Sequence, residues 1–373
     1  MSLPPDRGGP IGLQPGLVVP AGELREFQPP GENVPKIFGN IVSNTSAEAY
    51  RNMIRLIGPH PILEDLPEEI YKPRAKEIDN AANATFDLGL VGSGLTVHIV
   101  GDEAQKDIDK GHDGIEASFG RHGNGAKHVW VVRDVVEGTK LVAHNRPNAM
   151  SIAAVSTVGG LMETPIRPDD GKRVGYMRKI FVPKGVDPNS ISLDQPPEEN
   201  IKAVARAFGI NPRDIHLVTM ERKCNQAIIR AAEALGADVT KIDVGDLAWC
   251  MRASLWTPQS AEKLIIYMGR GGWEEGEIAH VVAKLVGAPA QGRIIYEKAD
   301  IEIKDETSIF TAREAVPGAA EETFVVFSPI TPNEHFGVGG VTQIAENTYR
   351  VNRVLIGNQG IYVAHQDQRL VAA

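Results

Sequence analysis

His128-Val129-Trp130-Val131-Val132-Arg133-Asp134-Val135-Val136-Glu137-Gly138-Thr139 is an apolar, β-branched run that closes on two acids, a glycine and a hydroxyl residue. Its apolar part predicts a strand. The acids stand at the strand's mouth, three residues apart, and Gly138 lets the chain turn so that both carboxylates converge while backbone N–H groups remain for an anion. Oxygen donors of this kind suit hard divalent cations, and Mg²⁺ shares them with substrate phosphates. Acid followed by glycine is also ordinary turn chemistry, so the run alone reads equally as a solvated strand-end turn.

The same theme recurs upstream. Thr96 to Val100 predicts a strand that ends at Gly101-Asp102-Glu103. Helical spacing runs from Ser46 to Ile57 and again from Lys76 to Leu90, where Asp79 falls in the first turn and faces away from a stripe of Ile78, Ala82 and Phe86. With strands at 128–133 and 149–158, this predicts an α+β layer with some antiparallel pairing. Past the Pro/Asp-rich loops at 164–170 and 183–197, helices and strands alternate. Helices are expected at Glu198 to Phe208, Asn225 to Leu235, from Asp246, and at Glu275 to Leu285; strands at Ile215 to Met220, Val239 to Ile242 and Lys263 to Met268. Strands around Thr323 to Ser328 and a hairpin at Gly357-Asn358-Gln359-Gly360 follow. The expected organisation is an extended Pro/Gly-rich arm over 1–40, a metal-binding α+β half over 41–185, and an α/β half over 186–373 that completes the substrate and metal site.

Composition narrows the function classes. The chain has 373 residues and a net charge of −9, which argues against a nucleic-acid partner, since phosphate backbones are held by clustered Lys and Arg. Cys224 and Cys250 are the only cysteines, so no disulfide framework or zinc knuckle is encoded, and a reducing cytoplasm is expected. No stretch reaches the roughly 18 apolar residues of a membrane helix, and no targeting segment or membrane partner is read.

Other candidate groups lie at element ends. Gly269-Arg270-Gly271-Gly272-Trp273-Glu274-Glu275-Gly276 sits between a strand and a helix, where backbone N–H groups can hold an anion or the glycines can serve close packing. It matches no phosphate-loop or dinucleotide spacing. Tyr176, Arg222, Lys223 and Asp246 read either as ligand contacts or as half-buried and solvated side chains. His144 lacks a partner histidine at helical spacing, and Cys224 reads as a small packed residue.

Taken in order, these elements resemble the class II fructose-1,6-bisphosphatase family, whose fold and metal chemistry are similar to those of the inositol monophosphatase superfamily. The resemblance spans roughly 70 to 345. The family's Asp-Pro-Ile-Glu-Gly-Thr is matched by Asp134 to Thr139, with an Ala-rich strand after it at Asn148 to Val155; its Tyr-Met-Glu-Lys by Tyr176-Met177-Arg178-Lys179; its Gly-Asp by Gly245-Asp246; and its Gly-Gly-Ala-Pro-Glu-Gly by Gly271 to Gly276. The resemblance implies a layered α/β/α/β/α fold, a homo-oligomer, and a phosphatase that uses two Mg²⁺ or Mn²⁺ ions on a small-molecule sugar phosphate. It implies metal ligation by Asp79, Glu103, Asp134, Glu137 and Glu275. It further implies catalysis by Thr139, Asp134 and Glu103, and substrate contact by Glu137, Gly138, Thr139, Tyr176, Lys223, Asp246 and Gly272. Val135 replaces the family's Pro, Gly101-Asp102-Glu103 its Gly-Glu-Gly-Glu, and Lys223 its Arg. These departures leave a second expectation open, a non-catalytic relative that binds sugar phosphate as a regulatory or structural subunit.

Overall fold

In the computed structural model, which describes residues 34–102, 120–166, 171, 173, 175–260, 262–295, 309–318 and 322–370, the acid-bearing run is β3 (His128–Glu137) of a mixed sheet. Around it lie β1 (Thr96–Asp102), β2 (Gly120–His122), β4 (Met150–Ser156), β11 (Thr323–Pro329), β12 (Thr342–Ala345), β13 (Thr348–Gly357) and β14 (Gly360–Arg369). The order is β12-β13-β11-β4-β3-β1-β2, with β14 also on β13. Among the described residues of this sheet, only β1 and β3 pair in parallel. The second sheet runs β10-β9-β5-β8-β6-β7, from β5 (Tyr176–Phe181), β6 (Ile215–Met220), β7 (Asp238–Ile242), β8 (Leu264–Gly272), β9 (Ala290–Ile295) and β10 (Phe310–Thr311).

Each sheet has two apolar faces, so each needs helices on both sides. Helices α1 (Val34–Ile57) and α2 (Glu68–Val91) cover one face of the first sheet, packing Phe38, Met53, Ile78 and Phe86 with Val129, Val131, Val135 and Val136. Short α3 (Thr139–Ala143) continues β3. Helices α4 (Pro197–Phe208) and α5 (Gln226–Ala234) cover the far face of the second sheet. Between the sheets lie α6 (Asp246–Leu255) and α7 (Trp273–Val286), followed by one-turn α8 (Ala312–Ala315). Residues of both sheets and both central helices share one apolar cluster. This is the α/β/α/β/α layering that the resemblance implies.

Three boundaries differ from expectation. Helix α1 starts at Val34 rather than Ser46, so residues 34–40 are helical and not part of an arm. Val34 and Phe38 bury there, and Pro35 sits in the first turn, where its missing N–H is no loss. Residues 1–33 lie outside the described residues. Helix α2 starts at Glu68 and carries Pro73 inside it, which places Asp79 in mid-helix rather than in a first turn. The division at 185/186 does not follow the sheets: β5 joins the second sheet, and β11 to β14 return to the first. Burial alternates on β5 only over its first four residues and on β9 not at all, so neither strand declares its sheet by periodicity.

Candidate metal centre

A strand alternates faces every residue, so Asp134 and Glu137 should point in opposite directions. The register prevents this. Asp134 pairs with Ile152 and Glu137 with Met150, three steps on β3 against two on β4. The extra residue is a β-bulge, which turns both acids to the inner face while Val135 and Val136 both pack into the helix-covered cluster. Val135, which stands where the resemblance has Pro, lies within the bulge. Gly138 follows with φ 81° and ψ 44°, the left-handed conformation that starts α3 at Thr139.

The third acid comes from the second sheet. Strand β8 is buried along its whole length and delivers Glu275 in the first turn of α7, where a helix N-terminus favours negative charge. One carboxylate oxygen from each of Asp134, Glu137 and Glu275 lies within 4.8 Å of the others, and all three residues are buried. The preceding glycines are required by this crowding. A Cβ at Gly272 would stand 1.8 Å from Glu275 Oε2, and one at Gly271 would stand 1.8 Å from Asp246 Oδ2. Three carboxylates gathered out of water need a counter-charge. Opposed oxygens on one hard cation lie about 4 Å apart, so the donor set fits such an ion.

Beside the acids is a buried pair. Lys179 Nζ lies 2.8 Å from Asp246 Oδ2 and donates to Gly272 O at 3.3 Å, and Tyr267 Oη donates to Asp246 at 2.8 Å. Burial works against the Lys179 charge, but Asp246, with Cys250 and Glu275, more than offsets it and holds the ammonium's pKa above its ordinary value. Burial likewise works against Asp246, and Lys179 with Tyr267 and Arg222 carries its carboxyl below the usual range. Further along α7, Glu277 accepts from Met162 N at 3.0 Å and burial pushes its carboxyl up to about 8, while burial takes His280 down to about 4.

The remaining expected residues are scattered around this core. Asp79 shares a face of α2 with Asn83 and Asp87, both bonded to Arg133, and lies between them and Tyr71, whose ring meets His144. It is half-buried and is not one of the three clustered acids. Glu103 lies outside the described residues. Asp102, its neighbour, is bound by Arg133 at 2.9 Å. Thr139 is half-buried at the start of α3, and Tyr176 is half-buried at the start of β5. The Tyr176 ring has the Arg270 guanidinium at 5.0 Å and that of Arg222 at 5.8 Å. Lys223 is exposed. His144 bonds the backbone of Leu66 and Lys140 through its two ring nitrogens, a structural role. Cys224, read as a packed residue, is exposed, because the turn after β6 carries it outward.

Sequence reasoning passed over Lys179 and Arg133. Both stand inside quoted runs but were given no role, and a charged residue in a buried strand was the available signal.

A model of the bacterial fructose-1,6-bisphosphatase family, described as glpX-encoded, matches residues 71–331. Among curated proteins, the D-fructose 1,6-bisphosphatase class 2/sedoheptulose 1,7-bisphosphatase of Synechococcus sp. (strain JA-2-3B'a(2-13)) is 32% identical over 164 residues, 44% of this chain and 44% of that protein. The protein of the same description from Trichodesmium erythraeum (strain IMS101) is 26% identical over 218 residues, 53% of this chain and 59% of the relative. The chain thus spans about half the length of the curated relatives it matches. Among solved structures, Leishmania major fructose-1,6-bisphosphatase in the T-state aligns with 78% of this chain and 93% of its own, at 13% identity and a TM-score of 0.33. Mycobacterium tuberculosis SuhB aligns with 60% and 73%, at 14% identity and a TM-score of 0.27.

Proposed function

Because the chain belongs to the bacterial, glpX-encoded fructose-1,6-bisphosphatase family, we propose that it is a metal-dependent phosphatase that hydrolyses a phosphate monoester of a sugar bisphosphate. Fructose 1,6-bisphosphate is the first substrate to test, with sedoheptulose 1,7-bisphosphate, which the relatives' description names, as the second. The observation that carries the reading is the convergence of Asp134, Glu137 and Glu275 within 4.8 Å across two sheets. Family membership alone would not require that convergence.

In this reading Asp134, Glu137 and Glu275 hold Mg²⁺ or Mn²⁺, with Asp79 alongside on α2. A pair of such ions supplies charge neutralisation at the phosphoryl oxygens and a water acidic enough to attack near neutral pH. The chain's own groups do the rest. Thr139, at the start of α3, orients the attacking water by its hydroxyl, and Gly138 leaves room beside it. Lys179 and Asp246 fix the β8–α7 turn, through Gly272 O, and thereby the Glu275 carboxylate. Tyr176 and Lys223 border the sugar, on the side where Arg222 and Arg270 gather positive charge.

The test is phosphate release from a panel of sugar bisphosphates, sugar monophosphates and inositol phosphates, with Mg²⁺, Mn²⁺ or chelator. Turnover of a bisphosphate that stops with chelator is expected. A folded protein that releases no phosphate from any of them overturns the reading. No helix among the described residues is long and apolar enough to cross a membrane.

A further inference from the structure

Two histidines meet on neighbouring strands of the first sheet, away from the acidic centre. His98 lies on β1 and His128 opens β3, and the parallel register sets His98 opposite Trp130 and Thr96 opposite His128. Side chains two apart on a strand point the same way, so His98, His128 and Trp130 share one face. His98 Nε2 and His128 Nδ1 stand 3.0 Å apart, with ring centroids 5.1 Å apart. The His98 ring also stacks on Trp130 at 5.0 Å, the two planes 14° apart. Trp130 is half-buried and packs against the central apolar cluster, which fixes the platform on which His98 lies. His128 is exposed, so solvent reaches the pair.

A contact of this length is a hydrogen bond when one ring places its proton between the two nitrogens. It is also the spacing that a shared metal ion imposes. With metal–nitrogen bonds of about 2.0–2.1 Å, two imidazole nitrogens on one ion stand about 2.9 Å apart at a right angle and about 3.3 Å apart at the tetrahedral angle. The outer nitrogens, His98 Nδ1 and His128 Nε2, have no hydrogen-bond partner among the described residues, so either can carry its ring's proton. When the shared proton moves through solvent to the outer nitrogen of the same ring, both lone pairs face inward and the neutral pair releases no net proton. Burial, with His128 and Arg121, holds the His98 pKa below its ordinary value, which keeps that ring neutral near pH 7. Arg121 stands opposite His98 on β2 and repels a cation, but it is exposed and screened by solvent, whereas direct metal–nitrogen bonds are not.

We propose that His98 and His128 chelate a divalent transition-metal ion of the Zn²⁺ or Cu²⁺ class, which clips the starts of β1 and β3 together, with solvent completing the coordination. Imidazole nitrogens suit these ions, whereas carboxylate oxygens suit Mg²⁺ and Mn²⁺. The pair is also separate in space: His128 stands six residues before Asp134 on β3, about 20 Å along the strand. The site goes beyond the phosphatase reading and stands without it, since binding there needs neither the acidic cluster nor turnover.

The test is electron paramagnetic resonance of the full chain with one equivalent of Cu²⁺ in excess Mg²⁺, which competes for the carboxylates. Splitting from two imidazole nitrogens is expected, because oxygen ligands give none. His98→Gln and His128→Gln, each checked for unchanged melting in chelator, should each abolish the two-nitrogen pattern. Each should also weaken Zn²⁺ binding, followed by calorimetry, by about tenfold or more, because the paired strands hold the second imidazole at a high effective concentration. Asp134→Asn, and His365→Gln at an exposed histidine elsewhere in the sheet, should leave the copper spectrum unchanged. A spectrum without nitrogen splitting, or a two-nitrogen pattern that survives both His98→Gln and His128→Gln, overturns the proposal and leaves a hydrogen-bonded pair only. Loss of the pattern in Asp134→Asn or in His365→Gln overturns it equally, by placing the ion elsewhere.

Discussion

Arg133 and Asp134 are neighbours in sequence, and β3 sends them to opposite faces of the first sheet. On the helix-covered face, fully buried Arg133 is bound by Asp87 at 2.6 Å and Asp102 at 2.9 Å, over the Phe86 ring. Those acids are matched within the chain and brace α2 and β1 against β3. On the inner face, Asp134 joins Glu137 and Glu275, three charges of one sign in one place. Both faces are equally buried, so burial does not distinguish a brace from a socket. The signs brought together do: an arginine between two acids on one face, three acids in one place on the other.

The comparison breaks first at Arg133. Arg133→Ala leaves Asp102 buried without its main partner, and a loss of about 3–5 kcal/mol is expected from urea unfolding; a loss below about 1 kcal/mol would mean the brace carries little. On the other face, Asp134→Asn should lower metal-dependent turnover by about 10²–10³-fold, the usual scale for one electrostatic group at a reacting centre. Its melting temperature in chelator should not fall, because like charge has been removed. Equal activity, or unfolding in chelator, would erase the contrast between the two faces.

Finer tests follow. Gly272→Ala forces a Cβ into the Glu275 carboxylate, and a cost of about 1–3 kcal/mol in stability should come with weaker Mn²⁺ binding by calorimetry. Unchanged Mn²⁺ affinity would show that Glu275 is not a ligand. The smallest effect concerns His280, held neutral with its pKa near 4 by burial between Phe181 and Phe310. Its folded pKa is below the unfolded value of about 6.5, so the stability it contributes is complete above that pH and is lost as pH falls toward 4. The slope is at most about 1.4 kcal/mol per pH unit. His280→Phe should flatten the stability profile between those limits; an identical profile would mean that the ring is already solvated.

The layered fold was legible because long helical stripes and β-branched runs obey their periods even when termini shift, as at α1 and α2. The acids of the centre were legible as a motif. Their convergence was not, because a period of two places Asp134 and Glu137 on opposite faces and only the bulge opposite β4 reunites them. The roles of Lys179 and Arg133 stayed hidden for the reverse reason: a charged residue in a strand gives no hint of which distant acid it meets. That Arg178 stands beside Arg270 and Arg293 on adjacent strands is likewise invisible in sequence, since they lie 92 and 115 residues away and meet only through strand register.

Strand β11 pairs along its whole length with β4, Thr323 opposite Ser156 and Pro329 opposite Met150. The acids at the end of β3 rest on β4, and β4 has its second neighbour only once a segment more than 160 residues later has been made. Closing so long a loop is entropically costly and slows folding. On the ribosome, β4, against which the strand carrying Asp134 and Glu137 rests, must therefore wait with one edge open until β11 has emerged. That interval is when the exposed edge of β4 is open to pairing with another nascent chain.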